Sequence, residues 1–232
     1  MKVFLFDVDD TLYDQMLPFE TAYHRVFGGR YDLDIHKLYV GSRKHGDDVF
    51  EASERGEMSM DDMHVYRISK AFQDFAVSIT REEALSFQKE YAKEQHHIYL
   101  SDRMADLLEK LKSRGDLLGV ITNGPGPHQR NKIRVLGLER WISAENMYIS
   151  GELDVMKPDK RIFDYAVAHM KAEDAQIYFI GDSFVSDITG AKNAGLKAVW
   201  MNRRNHPLPE NSVVPDYHVK TEGELEELLL SL

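Results

Sequence analysis

Val3-Phe4-Leu5-Phe6-Asp7-Val8-Asp9-Asp10-Thr11 opens the chain with four apolar residues and then turns to three carboxylates and a hydroxyl. A short continuous apolar run reads as a strand buried on both faces of a parallel sheet. In open α/β sheets the ligand sits just beyond the carboxyl ends of the strands. Asp7 and Asp9 therefore fall where chemistry is done. Two carboxylates that close repel each other unless a cation or a shared proton offsets the repulsion.

Working outward, the chain sorts into two kinds of segment. From Ser101 onward, strand-like and helix-like stretches alternate. Ser101 reads as the N-cap of a helix with Met104, Leu107, Leu108 and Leu111 on one face and Gly115 as its stop. Leu117 to Ile121 reads as a buried strand ending at Thr122-Asn123-Gly124. Ile162, Phe163, Ala166 and Val167 suit a helix face. Ile177 to Ile180 is another buried strand, ending at Gly181-Asp182-Ser183. A helical stretch through Ile188 and Ala191 closes at Gly195, and Ala198 to Met201 is a further strand. Such alternation means parallel βαβ units. The segment from about Gln15 to about Gln95 has helical spacing instead, as in Phe19, Tyr23, Val26 and Phe27 and in Ile68, Phe72 and Phe75, and holds no convincing strand. The expectation is an α/β fold: a Rossmann-like parallel sheet core over residues 1–14 and 96–232, with an inserted all-helical cap domain over 15–95.

Composition sets the outer bounds. A chain of 232 residues with 43% hydrophobic content supports a sizeable core. The net charge of −10 argues against a nucleic-acid polymer as partner, which calls for a basic face. There is no cysteine, hence no disulfide framework and no thiolate metal site. The N-terminal apolar run is too short for a secretory signal, and no stretch approaches the roughly 20 apolar residues of a membrane span. The expectation is a cytoplasmic protein with no membrane partner, as a monomer or a homodimer.

Three strands end in polar residues of different chemistry: Asp7 with Asp9, Thr122, and Asp182 followed by Asp187. Lys157-Pro158-Asp159 stands directly before a helix. Parallel neighbours would bring these ends to one edge of the sheet. Carboxylates with water are the ligand set of Mg²⁺. A metal and a lysine together screen a carboxylate nucleophile from a phosphate, so that an aspartyl-phosphate can form.

These residues carry a resemblance. Asp7-x-Asp9-x-Thr11, Thr122 after its strand, Lys157, and Gly181-Asp182-Ser183 with Asp187, Gly190-Ala191 and Ala194-Gly195 resemble, in order, the four motifs of the haloacid dehalogenase-like (HAD) superfamily hydrolases with a helical cap after the first strand. The match covers the core from Val3 to Trp200. The Ile121-Thr122-Asn123-Gly124 loop, Lys157-Pro158 and Met201-Asn202 are similar to bacterial pyrimidine 5′-nucleotidases of that superfamily. Asp10 departs from the pattern, since many members have glycine there. Dehalogenases lack a carboxylate at the position of Asp9, so the resemblance is to the phosphatase branch.

The resemblance implies a role for each residue. Asp7 is the nucleophile and a Mg²⁺ ligand. Asp9 protonates the leaving alkoxide, then takes a proton from the hydrolytic water, and its main-chain carbonyl touches the metal. Thr122 and the amides of Asn123 and Gly124 hold the phosphoryl oxygens. Lys157 neutralises charge on the phosphoryl group and on Asp7. Asp182 is the side-chain Mg²⁺ ligand, and Asp187 binds a metal water or orients Lys157. The implied activity is a Mg²⁺-dependent phosphomonoesterase on a small phosphorylated metabolite, with a pyrimidine nucleoside 5′-monophosphate first. The alternatives are a sugar-phosphate or phosphoglycolate phosphatase, a phosphomutase, or an inactive phosphometabolite-binding module. The cap is expected to set specificity. Each residue also has a plainer reading, since Asp and Thr after strands are common turn and capping residues. Arg43, His45 and Arg67 lie in the helical block, where surface charge is the plainer reading. His96-His97 reads as an exposed helix end, and Trp141 and Trp200 read as packing.

Overall fold

Lys2–Phe6 (β1) has the burial its apolar run predicts: Val3, Phe4, Leu5 and Phe6 are all inaccessible to solvent. The computed structural model describes residues 2–232, apart from the side chains of Glu51 and Glu54. Next come helices α1 (Met16–Phe27), α2 (Ile35–Glu54), α3 (Met60–Gln73), α4 (Arg81–Glu94) and α5 (Asp102–Ser113). They are followed by β2 (Leu117–Thr122), α6 (Gly126–Val135), β3 (Met147–Ile149), α7 (Ser150–Leu153), α8 (Lys160–His169) and β4 (Gln176–Gly181). The chain closes with α9 (Gly190–Asn193), β5 (Lys197–Met201), β6 (Tyr217–Val219) and α10 (Glu222–Ser231).

Among the described residues, six strands form one sheet in the order β3-β2-β1-β4-β5-β6, and every pairing is parallel. β1 is central, with Phe4 opposite both Leu118 and Tyr178. The period-2 alternation of a strand divides its residues between two layers. Phe4 and Phe6 pack with Leu107, Leu111, Ile133 and Leu225, whereas Val3 and Leu5 pack with Phe163, Phe179, Ala191 and Trp200. The sheet is thus covered on both faces, which is why its strands read as continuous apolar runs.

α5 begins where its cap predicts, with the Met104 amide donating to Ser101 Oγ at 3.1 Å. The stretch through Ile188 differs from the plain helix expected. Phe184–Thr189 winds as a π-helix before α9, and it turns Asp187 inward to full burial. Strands β3 and β6 are not foreseen by the sequence reading. Each has three residues, too few to register as a period, and β6 is an edge strand.

The chain divides into two compact units, Met1–Asp14 with Ile98–Leu232, and Gln15–His97. The second is made of α1–α4. Its own core gathers Phe19, Tyr23, Phe27, Leu38, Phe72, Phe87 and Tyr91, with Phe19 meeting Phe87 edge-on at 4.9 Å. α3 starts on Ser59, whose Oγ accepts from the Asp62 amide. α4 starts on a capping box between Thr80 and Glu83, which satisfies two helix-end donors at once. No helix among the described residues is long and apolar enough to cross a membrane.

Candidate active site

Asp7 follows β1 and continues its ladder, its amide donating to Ile180 O at 2.8 Å. Asp182 follows β4, the neighbour of β1, and Thr122 ends β2 on the other side. Parallel pairing places all three at one sheet edge. Lys157 reaches the same edge from the loop before α8. Its ammonium donates to Asp7 Oδ1 at 2.7 Å and to Asp187 Oδ1 at 2.6 Å. Asp187 Oδ2 accepts from the Ser183 amide at 2.9 Å. All three ionic groups are buried, with Asp7 6%, Lys157 3% and Asp187 0% exposed.

Burial of charge is costly, so such a cluster must be internally compensated. One lysine between two carboxylates leaves an excess negative charge. Burial pushes the Asp7 carboxyl up to about 7, against the nearby Lys157 cation and with the charges of Asp187 and Asp9. Burial also works against the Lys157 ammonium, but Asp187 and then Asp7 outweigh it and push that pKa up. Carboxylate oxygens of Asp7, Asp182 and Asp187 lie within 4.8 Å of one another, a spacing suited to a shared cation. Three oxygen donors with excess negative charge fit Mg²⁺ by donor type and by electrostatics.

The three residues Thr122, Asn123 and Gly124 are engaged differently. Thr122 Oγ1 is buried and has no hydrogen-bond partner among the described residues. Asn123 instead uses its side chain to hold the Lys157 backbone, donating from Nδ2 to Lys157 O at 2.8 Å and accepting from Lys157 N at 2.9 Å. The Gly124 amide does not match its expected role. It already donates to Ser150 Oγ at 2.9 Å, because α7 begins directly against this loop and Gly151 N bonds Gly124 O.

Asp9, whose charge also acts on Asp7, is held by a different set of residues. Its side chain turns toward α6 and accepts from Lys132 Nζ at 2.7 and 2.6 Å, from Tyr13 OH at 2.5 Å and from Gln129 Nε2 at 3.2 Å. The sequence reading missed Lys132, Gln129, Tyr13 and Ser150. A signal for two of them exists: Gln129 and Lys132 are polar residues at helical spacing i, i+3, next to the buried apolar Ile133. Asp10 explains itself here. Its φ is 59°, in the left-handed region where glycine is the easy choice. Its carboxylate is clasped by Arg204, with Nε donating to Oδ2 at 2.8 Å, which compensates the unfavourable backbone.

Trp200 is packed as expected, and its Nε1 also donates to the Asp182 carbonyl at 2.9 Å, steadying that loop. Trp141 is buried, with Nε1 donating to Glu109. In the helical unit, Arg67 donates to Gln88 and His45 bonds Asp74. His97 is exposed.

Comparison with known proteins places these features. A family model described as haloacid dehalogenase-like hydrolase matches residues 1–195. The chain is similar to the HAD-hydrolase YfnB of Bacillus subtilis (strain 168), at 28% identity over 98% of this chain and 95% of YfnB. It is also similar to the pyrimidine 5′-nucleotidase YjjG of Escherichia coli (strain K12), at 37% identity over 48% of this chain and 49% of YjjG. The chain thus aligns with about half the length of that nucleotidase. A crystal structure of YfnB bound to magnesium superposes with a TM-score of 0.72, at 26% identity and 98% coverage of both chains.

Proposed function

The chain belongs to the haloacid dehalogenase-like hydrolase family, and on that premise we propose that it is a Mg²⁺-dependent phosphomonoesterase working through an aspartyl-phosphate on Asp7. The observation that carries this reading is the contact of a buried lysine with Asp7, set beside the buried and unpartnered hydroxyl of Thr122. In the first half-reaction an Asp7 oxygen attacks phosphorus and the bond from phosphorus to the leaving oxygen breaks. A protonated Asp9 passes its proton to that oxygen. In the second, Asp9 takes a proton from water, whose oxygen displaces the Asp7 carboxylate and releases phosphate. Lys157 offsets the negative charge of nucleophile and phosphoryl group, and Thr122 Oγ1 donates to a phosphoryl oxygen.

Asp187 orients Lys157 or binds a metal water, and its hydrogen bonds from Lys157 and from the Ser183 amide support the first role. Asp7 and Asp182, with the Asp9 carbonyl, would hold Mg²⁺, which supplies positive charge against the phosphoryl oxygens when bound. In this reading the core unit serves every phosphomonoester alike, and selectivity among leaving groups belongs to the inserted helical unit acting as a cap. A pyrimidine nucleoside 5′-monophosphate is the leading substrate class, supported by the nucleotidase-like loop Thr122-Asn123-Gly124 and by the similarity to YjjG.

Two measurements test the proposal. Asp7→Asn keeps the size of the side chain but cannot form an acyl-phosphate, so activity falls by roughly 10³-fold or more with the fold retained. A variant within about tenfold of the parent sinks the mechanism. UMP and dTMP are then compared with sugar phosphates and phosphoglycolate at equal concentration with Mg²⁺. Preference for a sugar phosphate or phosphoglycolate by roughly tenfold or more removes the nucleotidase assignment and leaves the phosphatase standing.

A further inference from the structure

Lys132 is a lysine that is 3% exposed, on a helix outside the four motifs, with its ammonium against both oxygens of Asp9. Lysines are almost never this buried unless paired. The same face of α6 carries Gln129, whose Nε2 donates both to Asp9 Oδ2 at 3.2 Å and to Asn123 O at 2.9 Å. One helix face therefore touches the Asp9 carboxylate and the loop that follows Thr122. Tyr13, from the turn after Asp9, closes the other side.

We propose that Lys132 is a positioning residue for proton transfer. Through its grip on both oxygens it fixes the rotamer and place of the Asp9 carboxylate, and Tyr13 and Gln129 complete the clamp. For the acid step one Asp9 oxygen leaves the ammonium and carries the proton it then gives to the leaving oxygen. This rests on the acid–base role assigned to Asp9 above. Its consequence is a dependence on the leaving group. An alkyl phosphomonoester expels a strongly basic alkoxide and needs a well-placed proton donor. p-Nitrophenyl phosphate expels a weakly basic phenolate and needs little help. kcat/KM covers steps only up to departure of the leaving group, so it isolates this half-reaction.

The experiment measures kcat/KM on an alkyl phosphomonoester and on p-nitrophenyl phosphate for the parent, Lys132→Met, Asp9→Asn and the double variant. Lys132→Met is expected to lose roughly 10²-fold on the alkyl ester, less than about tenfold on p-nitrophenyl phosphate, and mostly in kcat. The double variant is expected to be no slower than Asp9→Asn, because Lys132 acts through Asp9. Equal losses on both esters, or losses that multiply in the double variant, overturn the proposal and mark Lys132 as structural. A full-speed Asp9→Asn on the alkyl ester overturns the acid–base reading itself, and the positioning role with it. Should Lys132→Met fail to fold, Tyr13→Phe removes one donor of the clamp and keeps the ring. It is expected to give the same skew toward the alkyl ester at several-fold size, and an unskewed loss or none at all overturns the proposal.

Discussion

A Cβ placed on Gly181 would stand 2.3 Å from Asp187 Oδ2 and 2.4 Å from its Cγ. The glycine at the end of β4 is thus the floor on which Asp187 lies, and Asp187 in turn anchors Lys157 beside Asp7. Gly181→Ala must displace Asp187, since no L side chain shares that space. We expect a stability loss of about 1–3 kcal/mol from the overpacking. We also expect a fall in kcat of roughly 10²-fold, because a misplacement near 1 Å at a catalytic group costs that much. Thermal denaturation and steady-state rates on one phosphomonoester check both, and a near-normal kcat would show that Lys157 needs no anchor. At this scale the sequence was partly legible. Asp7 after β1, Lys157 from the loop before α8 and Asp187 from the turn after β4 meet, and only the strand end that carries Asp7 is written in a local apolar run. The Gly124 amide and the Asp9 clamp were not legible, since their partners Ser150 and Lys132 reach them from 26 and 123 residues away. No local pattern encodes such contacts.

Elements were legible where they were long or buried on both faces. β1, β2, β4 and β5 announce themselves as apolar runs, and α5 by its Ser101 cap. β6 is different, because three residues at an edge draw their stability from neighbours and not from their own pattern. Asp216, just before β6, supplies that support. It accepts from Lys192 Nζ at 2.8 Å, from the Ala198 amide at 2.9 Å and from Lys197 Nζ at 2.9 Å. Burial would raise its pKa, but these donors outweigh it and hold the carboxyl at about 2, below the ordinary 3.8. A depressed folded-state pKa means that the unfolded chain takes up the proton first. The stabilisation is therefore complete above pH 3.8 and lost as pH falls toward about 2. The difference corresponds to roughly 2 kcal/mol. Asp216→Asn should destabilise the protein by up to about that amount at neutral pH and flatten the acid limb of stability between those values. Denaturant midpoints across the range measure it, and an acid limb as steep as the parent's would assign the loss to other carboxylates.

At the scale of the whole molecule, the division into two units was visible as a change of period, because a helical block interrupts the βα alternation. What the sequence could not supply is how the described buried apolar residues group into clusters. Two clusters gather residues of the sheet unit alone, and the third gathers residues of Gln15–His97 alone. Segments with separate cores open as separate cooperative units. Phe72, fully buried in the helical cluster, therefore reports on one core, and the carboxylates of Asp7, Asp182 and Asp187 report on the other. Phe72→Ala should cost about 3–5 kcal/mol and speed amide exchange in α1–α4 well before it does so in β1 or β4. Mg²⁺ should act in the opposite place. Binding only to the native carboxylates, it adds about 2.7 kcal/mol at 100 times its dissociation constant and slows exchange around β1 and β4. Excess EDTA should reverse that protection. Amide exchange followed by mass spectrometry resolves the two segments in one experiment. Mg²⁺ protection that is equally strong in α1–α4 and in the sheet would contradict separate cores, and no protection around β1 and β4 would contradict the metal site.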